Sequence, residues 1–138
     1  MAKRFEIINH TADVGIAAYG AELKEAFANA AFALFSLIAE LDQVADSVSH
    51  EVDVSAENQE DLLVAWLNEL IFLFEVDGVL FNRFEVVELT DKRLRAVCYG
   101  ERIDPERHSI KAGVKAATYH MLEIVKTDGY RLQVLLDV

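Results

Sequence analysis

The sequence predicts an α+β fold: a two-layer sandwich with two amphipathic helices packed on one face of a mixed or antiparallel sheet. Three observations carry this. Two stretches repeat apolar residues at three-and-four spacing, and the remaining apolar residues fall in short, mostly alternating runs. The order is strand, strand, helix, strand, helix and then a run of strands, not the repeating strand–helix unit of a parallel sheet. The chain has 138 residues, 53% of them hydrophobic, and a single Pro. That suits one domain, residues 1–138, with one sizeable core.

Taken in order, Phe5-Glu6-Ile7-Ile8 and Val14-Gly15-Ile16-Ala17-Ala18-Tyr19 read as strands around a polar knot, His10-Thr11-Ala12-Asp13. A plain turn needs only Gly, Asn or Asp to set its angles, so a His, a Thr and an Asp together mark the knot for closer attention. The first helix is predicted from Ala21 to about Ala39, with Leu23, Phe27, Ala30, Ala31, Leu34, Phe35 and Ile38 on one face. Ser49 to Ser55 alternates, with Val52 and Val54 on one side. The second helix opens near Asn58, a good cap with Asp61 three residues on, buries Leu62, Leu63, Trp66, Leu67, Leu70, Ile71 and Phe74, and stops before Asp77-Gly78. Phe84–Leu89 and Arg93–Tyr99 flank Thr90-Asp91-Lys92, while Met121–Lys126 and Tyr130–Val138 flank Thr127-Asp128-Gly129, two hairpins. Residues 100–120 read as irregular.

Composition narrows the function. The chain carries 24 acids against 13 bases, a net charge of −11. The excess lies in residues 1–90, with 17 acids and 4 bases, whereas residues 91–138 hold 7 acids and 9 bases. Such a chain is repelled by phosphate backbones, which argues against direct high-affinity nucleic-acid binding and for a basic protein surface or a cation. For most of the acids, solvation of two helices is explanation enough. No apolar run approaches the roughly 20 residues that span a bilayer. Met1 to Phe5 lacks the apolar segment of a signal peptide. Cys98 is the single cysteine, so an internal disulfide is excluded and a reducing cytoplasm suits the chain. Its strand-like neighbours make it a buried structural thiol rather than a nucleophile.

The candidate chemistry lies in polar residues at strand ends: His10, Thr11, Asp13, Glu101, His108, Lys115, Thr118, His120 and Asp137. If the last strand pairs beside the first, Asp137 comes near Asp13. Two carboxylates with main-chain or terminal oxygens, here of Val138, suit a hard divalent cation such as calcium, magnesium or manganese. The plainer alternative is that Asp13 accepts turn hydrogen bonds and Asp137 faces water; from spacing alone it is the commoner outcome. His10, His108 and His120 lack zinc-ligand spacing. There is no nucleophile elbow and no phosphate loop. Lys115, in an apolar neighbourhood, is either a solvated charge or a contact to an anionic group.

The sequence resembles the archease family over nearly its whole length. The resemblance rests on His10-Thr-Ala-Asp-Val-Gly15, Leu62-Leu-Val-Ala-Trp-Leu-Asn-Glu-Leu70, Gly100-Glu101, Val114-Lys-Ala-Ala-Thr-Tyr-His120 and Leu136-Asp-Val138, five short stretches in order. It implies a non-catalytic activator that promotes guanylylation and multiple turnover of the RNA-splicing ligase, which joins a 3′-phosphate or cyclic phosphate end to a 5′-hydroxyl. A chaperone-like role toward a tRNA cytosine methyltransferase is the alternative, and a metal-dependent hydrolase is a third reading without an evident base or nucleophile. The family's metal pattern falls on Asp13, Asp137 and Val138, and its functional lysine on Lys115, with His10, Glu101 and His120 in support. Asn9 stands where many such proteins carry an acid.

Overall fold

The structure is a computed structural model that describes residues 3–9 and 13–138, so the His10 and Thr11 readings lie outside the described residues. The elements are β1 (Phe5–Asn9), β2 (Val14–Gly20), α1 (Leu23–Ile38), β3 (Val48–Ser55), α2 (Gln59–Asp77), β4 (Val79–Leu89), β5 (Arg93–Arg102), β6 (Ala116–Lys126) and β7 (Tyr130–Asp137), with a short 3₁₀ turn at Leu41–Gln43. The α+β class holds, and the strand pairing is antiparallel throughout.

The strands divide into two sheets rather than one. The first has the order β1-β2-β7-β6 and the second β3-β5-β4. Helix α1 touches both. Phe32 meets Phe5 of the first sheet at a ring separation of 5.9 Å, and Phe35 meets Phe81 and Phe84 of the second at 5.6 and 5.8 Å. Ala26, Ala30, Ala31 and Ala33 are fully buried, and these small side chains let the surrounding backbone come close on several sides of α1. Helix α2 leans on α1, where buried Trp66 donates its indole N–H to the Phe27 carbonyl at 3.0 Å. The donor of this large buried ring is thereby satisfied.

Local chemistry sets the ends of α2. The Asn58 side chain accepts the Asp61 N–H at 2.8 Å, the predicted cap. Gly78 then closes the helix at φ 63°, a left-handed conformation that favours glycine. Both predicted hairpins form. Thr90 Oγ1 accepts from the main chain of Lys92 and Arg93, and the Thr127 N–H donates to the Gly129 carbonyl.

Three strand boundaries differ from expectation, the smallest change being that β5 runs on past Tyr99 to Arg102. β4 starts at Val79 instead of Phe84, because Val79, Leu80 and Phe81 are all buried and do not alternate. β6 starts at Ala116, inside the stretch read as irregular. Its register jumps from Thr118↔Leu135 to Glu123↔Gln133, so residues 119–122 stand against the single position of Val134. A bulge of this size destroys the period of two on which a sequence reading depends.

Candidate functional site

The end of β7 is held from both sides. On one side Val14 pairs with Leu136, so the continued register sets Asp13 opposite Asp137. The last strand therefore lies beside β2, not beside β1, and still brings the two aspartates to neighbouring positions. On the other side Ala116 pairs with Asp137, and the Lys115 N–H donates to the Asp137 carbonyl at 2.8 Å. Ile16, Ala18, Leu132, Val134 and Leu136 belong to the core. Alternation then puts positions 13, 15, 135 and 137 on the opposite face of the sheet.

Gly15 explains how the knot joins this arrangement. A Cβ there would sit 2.9 Å from Leu135 Cδ2 and 3.2 Å from Ile8 Cβ. The missing side chain lets Leu135 pack across β2, and Leu135 is only 2% exposed although it faces away from the main core. Asp13 is half-buried, while Lys115 and Asp137 are exposed, as is Val138. None of these three charged side chains makes a hydrogen bond or ion pair with another described residue. The main chain thus brings Asp13, Lys115 and Asp137 to one sheet end, with their side-chain polar atoms bonded to no other described residue. Among the described residues no three His, Cys, Asp or Glu side chains converge, so a cation held here would need main-chain oxygens to complete its shell.

Glu101 is placed differently. Its carboxylate accepts the Ala45 N–H at 3.0 Å, forms a short ion pair with Arg107, and lies 3.0 Å from His108 Nε2. The bond from Arg107 and then that from the Ala45 N–H hold its carboxyl down at about 2. His108 is buried, and its Nδ1 accepts the Asp104 N–H at 2.9 Å. This fixes the ring proton on Nε2, which faces Glu101 and the Gln43 carbonyl at 3.1 Å. These groups tie the β5 end to the loops on either side. They do not reach Asp13, Lys115 or Asp137. Cys98 is buried as expected, and burial pushes its thiol up to about 12.

His120 lies exposed on β6 within the bulge. Three features at this strand have no role in the sequence reading of the site. Asn68 of α2 accepts the Ala117 N–H at 2.8 Å, shielding the β6 edge. The Asp61 carboxylate lies close enough to the Tyr119 hydroxyl to act on it electrostatically. Met121 adopts φ 57°, rare for a residue with a side chain. The sequence signal for Asn68 is an amide that directly follows the apolar run Leu62-Leu63-Val64-Ala65-Trp66-Leu67. A shallow cavity of about 370 Å³ opens at the other end of the first sheet, lined by Lys3, Tyr19, Glu25, Asp128 and Tyr130, and it includes none of the predicted site residues.

Comparison with known proteins places these features. The profile of the Archease protein family (MTH1598/TM1083) matches residues 5–138. A protein archease of Methanosarcina acetivorans is 42% identical, covering 99% of this chain and 97% of the relative. One of Pyrococcus abyssi is 45% identical, covering 90% and 89%. The solution structure of Methanobacterium thermoautotrophicum protein 1598 superposes with a TM-score of 0.84 at 37% identity, covering 98% of this chain and 99% of that one. The crystal structure of a Thermotoga maritima archease, described as a possible chaperone, gives 0.68 at 22% identity over 100% and 98%, a likeness of fold alone.

Proposed function

The chain belongs to the archease family, and from that premise we propose that it is a protein activator of an RNA ligase, one that joins a 3′-phosphate or cyclic phosphate end to a 5′-hydroxyl. The observation that carries this reading is the set of uncommitted charges on Asp13, Lys115 and Asp137 at one sheet end. Other charges at strand positions pair within the chain, as Glu101–Arg107 and Asp53–Arg93 do. Charges left unpaired side by side are available to something outside the chain.

Asp13, Asp137 and a main-chain oxygen of Val138 offer hard donors for calcium, magnesium or manganese. A divalent ion so held supplies neutralisation of phosphate charge during guanylylation of the ligase. Lys115 would meet a phosphate or an acidic group of the ligase. His10 and His120 flank this end of the sheet in sequence and stand as supporting positions. The acidity of the chain suits a partner whose surface is basic because it binds RNA. A chaperone-like role toward a tRNA cytosine methyltransferase is the second reading, favoured by Phe72 and Val76, exposed one turn apart on α2 at 53% and 63%.

The test is ligase guanylylation with GTP and a divalent metal, beside a ligase-free control. The wild-type chain is expected to stimulate at substoichiometric amounts, and Asp13→Ala, Asp137→Ala and Lys115→Ala to lose stimulation. Wild-type behaviour in all three variants would remove the mechanism. Protection of the methyltransferase from aggregation that is insensitive to Asp13→Ala would favour the second reading.

A further inference from the structure

We infer that the β6 bulge is a docking point where the ring of Tyr119, backed by Asp61, receives an arginine side chain of a basic protein partner. The inference rests on the activator reading, in which that partner is the ligase.

The bulge is an ordered exception to the sheet. Residues 119–122 oppose one position of β7, and Met121 takes a left-handed conformation at φ 57°. That conformation costs a side-chain-bearing residue about 1 kcal/mol, so the surroundings must hold it. Gln133 Nε2 donates to the Met121 carbonyl at 3.0 Å, and the Asp61 carboxylate, at the start of α2, lies close enough to act on the Tyr119 hydroxyl. Burial first, and then Asp61, raise that hydroxyl above its ordinary range, which keeps it a donor. The backbone excursion turns Tyr119 and Met121 outward, 58% and 49% exposed.

Other aromatics of this chain show what such a ring attracts. The Arg83 guanidinium lies 3.7 Å from the Tyr99 ring centroid, Arg4 lies 3.9 Å from that of Phe32, and Lys126 lies 5.9 Å from that of Tyr130. Among the described residues no cation covers Tyr119. Asp61, directly behind it, has no ion-pair partner among them either. A guanidinium laid on this ring would gain the ring face and the carboxylate together. Lysine, a compact and strongly hydrated charge, fits a flat ring beside a carboxylate less well. Phosphate is disfavoured by Asp61 and by the overall charge of −11. Because Tyr119 shares β6 with Ala116, which follows Lys115 and pairs with Asp137, an arginine bound there would seat the partner beside Asp13 and Asp137.

The test uses the full chain with hexa-arginine and hexa-lysine peptides at physiological ionic strength, followed by calorimetry and by the Tyr119 ring resonances. Hexa-arginine is expected to bind more tightly than hexa-lysine and to shift Tyr119. Tyr119→Leu should weaken that binding about tenfold and Tyr119→Phe about twofold or less, since the ring remains. Asp61→Asn, which keeps the local shape, should also weaken it. Equal binding of hexa-arginine by wild type and Tyr119→Leu, with both folded by circular dichroism, would overturn the proposal, as would binding unaffected by Asp61→Asn. In the ligase assay, Tyr119→Leu should raise the concentration for half-maximal stimulation about tenfold at unchanged maximum. An unchanged concentration sinks the docking point and leaves the activator reading intact. Absence of any stimulation by the wild type sinks the activator reading instead, and the peptide experiment still decides the docking point.

Discussion

Glu101 and Asp137 are both acids at the far end of a strand, and their surroundings are opposite. Glu101 closes β5 with a main-chain N–H, a guanidinium and a buried imidazole around it. Asp137 closes β7 with its carbonyl bonded to the Lys115 N–H and its carboxylate bonded to no described residue. The first end is a knot that fastens two loops to the second sheet. The second end is an open hand of charges on the first sheet. A polar group whose bonds are satisfied internally contributes to the fold, and one that is left exposed and unsatisfied is available for function. Residue type does not distinguish them, since both are acids in short stretches that resemble the same family.

The comparison breaks most sharply under substitution. Asp13→Ala or Asp137→Ala should cut ligase stimulation more than tenfold while stability to urea changes by less than about 0.5 kcal/mol, as for a surface group without partners. A loss of stability well beyond that, in place of loss of stimulation, would reverse the assignment. His108→Ala, at the closed end, should lower stability by about 2 kcal/mol, because it empties a buried site and strands the Asp104 N–H and the Glu101 carboxylate. Maximal stimulation by the folded variant should be unchanged.

A pH series sharpens the same contrast. The folded Glu101 carboxyl sits at about 2 against an ordinary 4.5. The unfolded state therefore binds the proton more readily, and the stabilisation is complete above about pH 4.5 and is lost as pH falls toward 2. Urea midpoints of wild type should decline through that window more steeply than those of Glu101→Gln; parallel declines would mean that the closed end adds no acid-linked stability. The smallest effect is expected at the β6 edge. Asn68→Ala should cost about 1 kcal/mol by exposing the Ala117 N–H, read as a lowered melting temperature and faster amide exchange at Ala117.

Much of this was legible because it is local. The cap at Asn58, the stop at Gly78 and the hairpins at Thr90 and Thr127 follow from side chains within a few residues of one another. The burial of Cys98 follows from its apolar neighbours. The start of β6 was hidden because three extra positions displace its alternation. The closed nature of Glu101 was hidden because its partners include Ala45, far away in sequence.

By itself, then, the sequence determined the elements, the ends of α2 and the hairpin turns, the acidity and the residues worth watching, since propensity, capping and periodicity act over one or two turns. Only the tertiary structure decided that the strands split into two sheets around α1, and that β7 slots between β2 and β6. The register of that strand sets Asp13 opposite Asp137 and leaves Glu101 to a separate knot. Such choices depend on which apolar faces cover one another and on hydrogen bonds across more than a hundred residues, and no short window contains either.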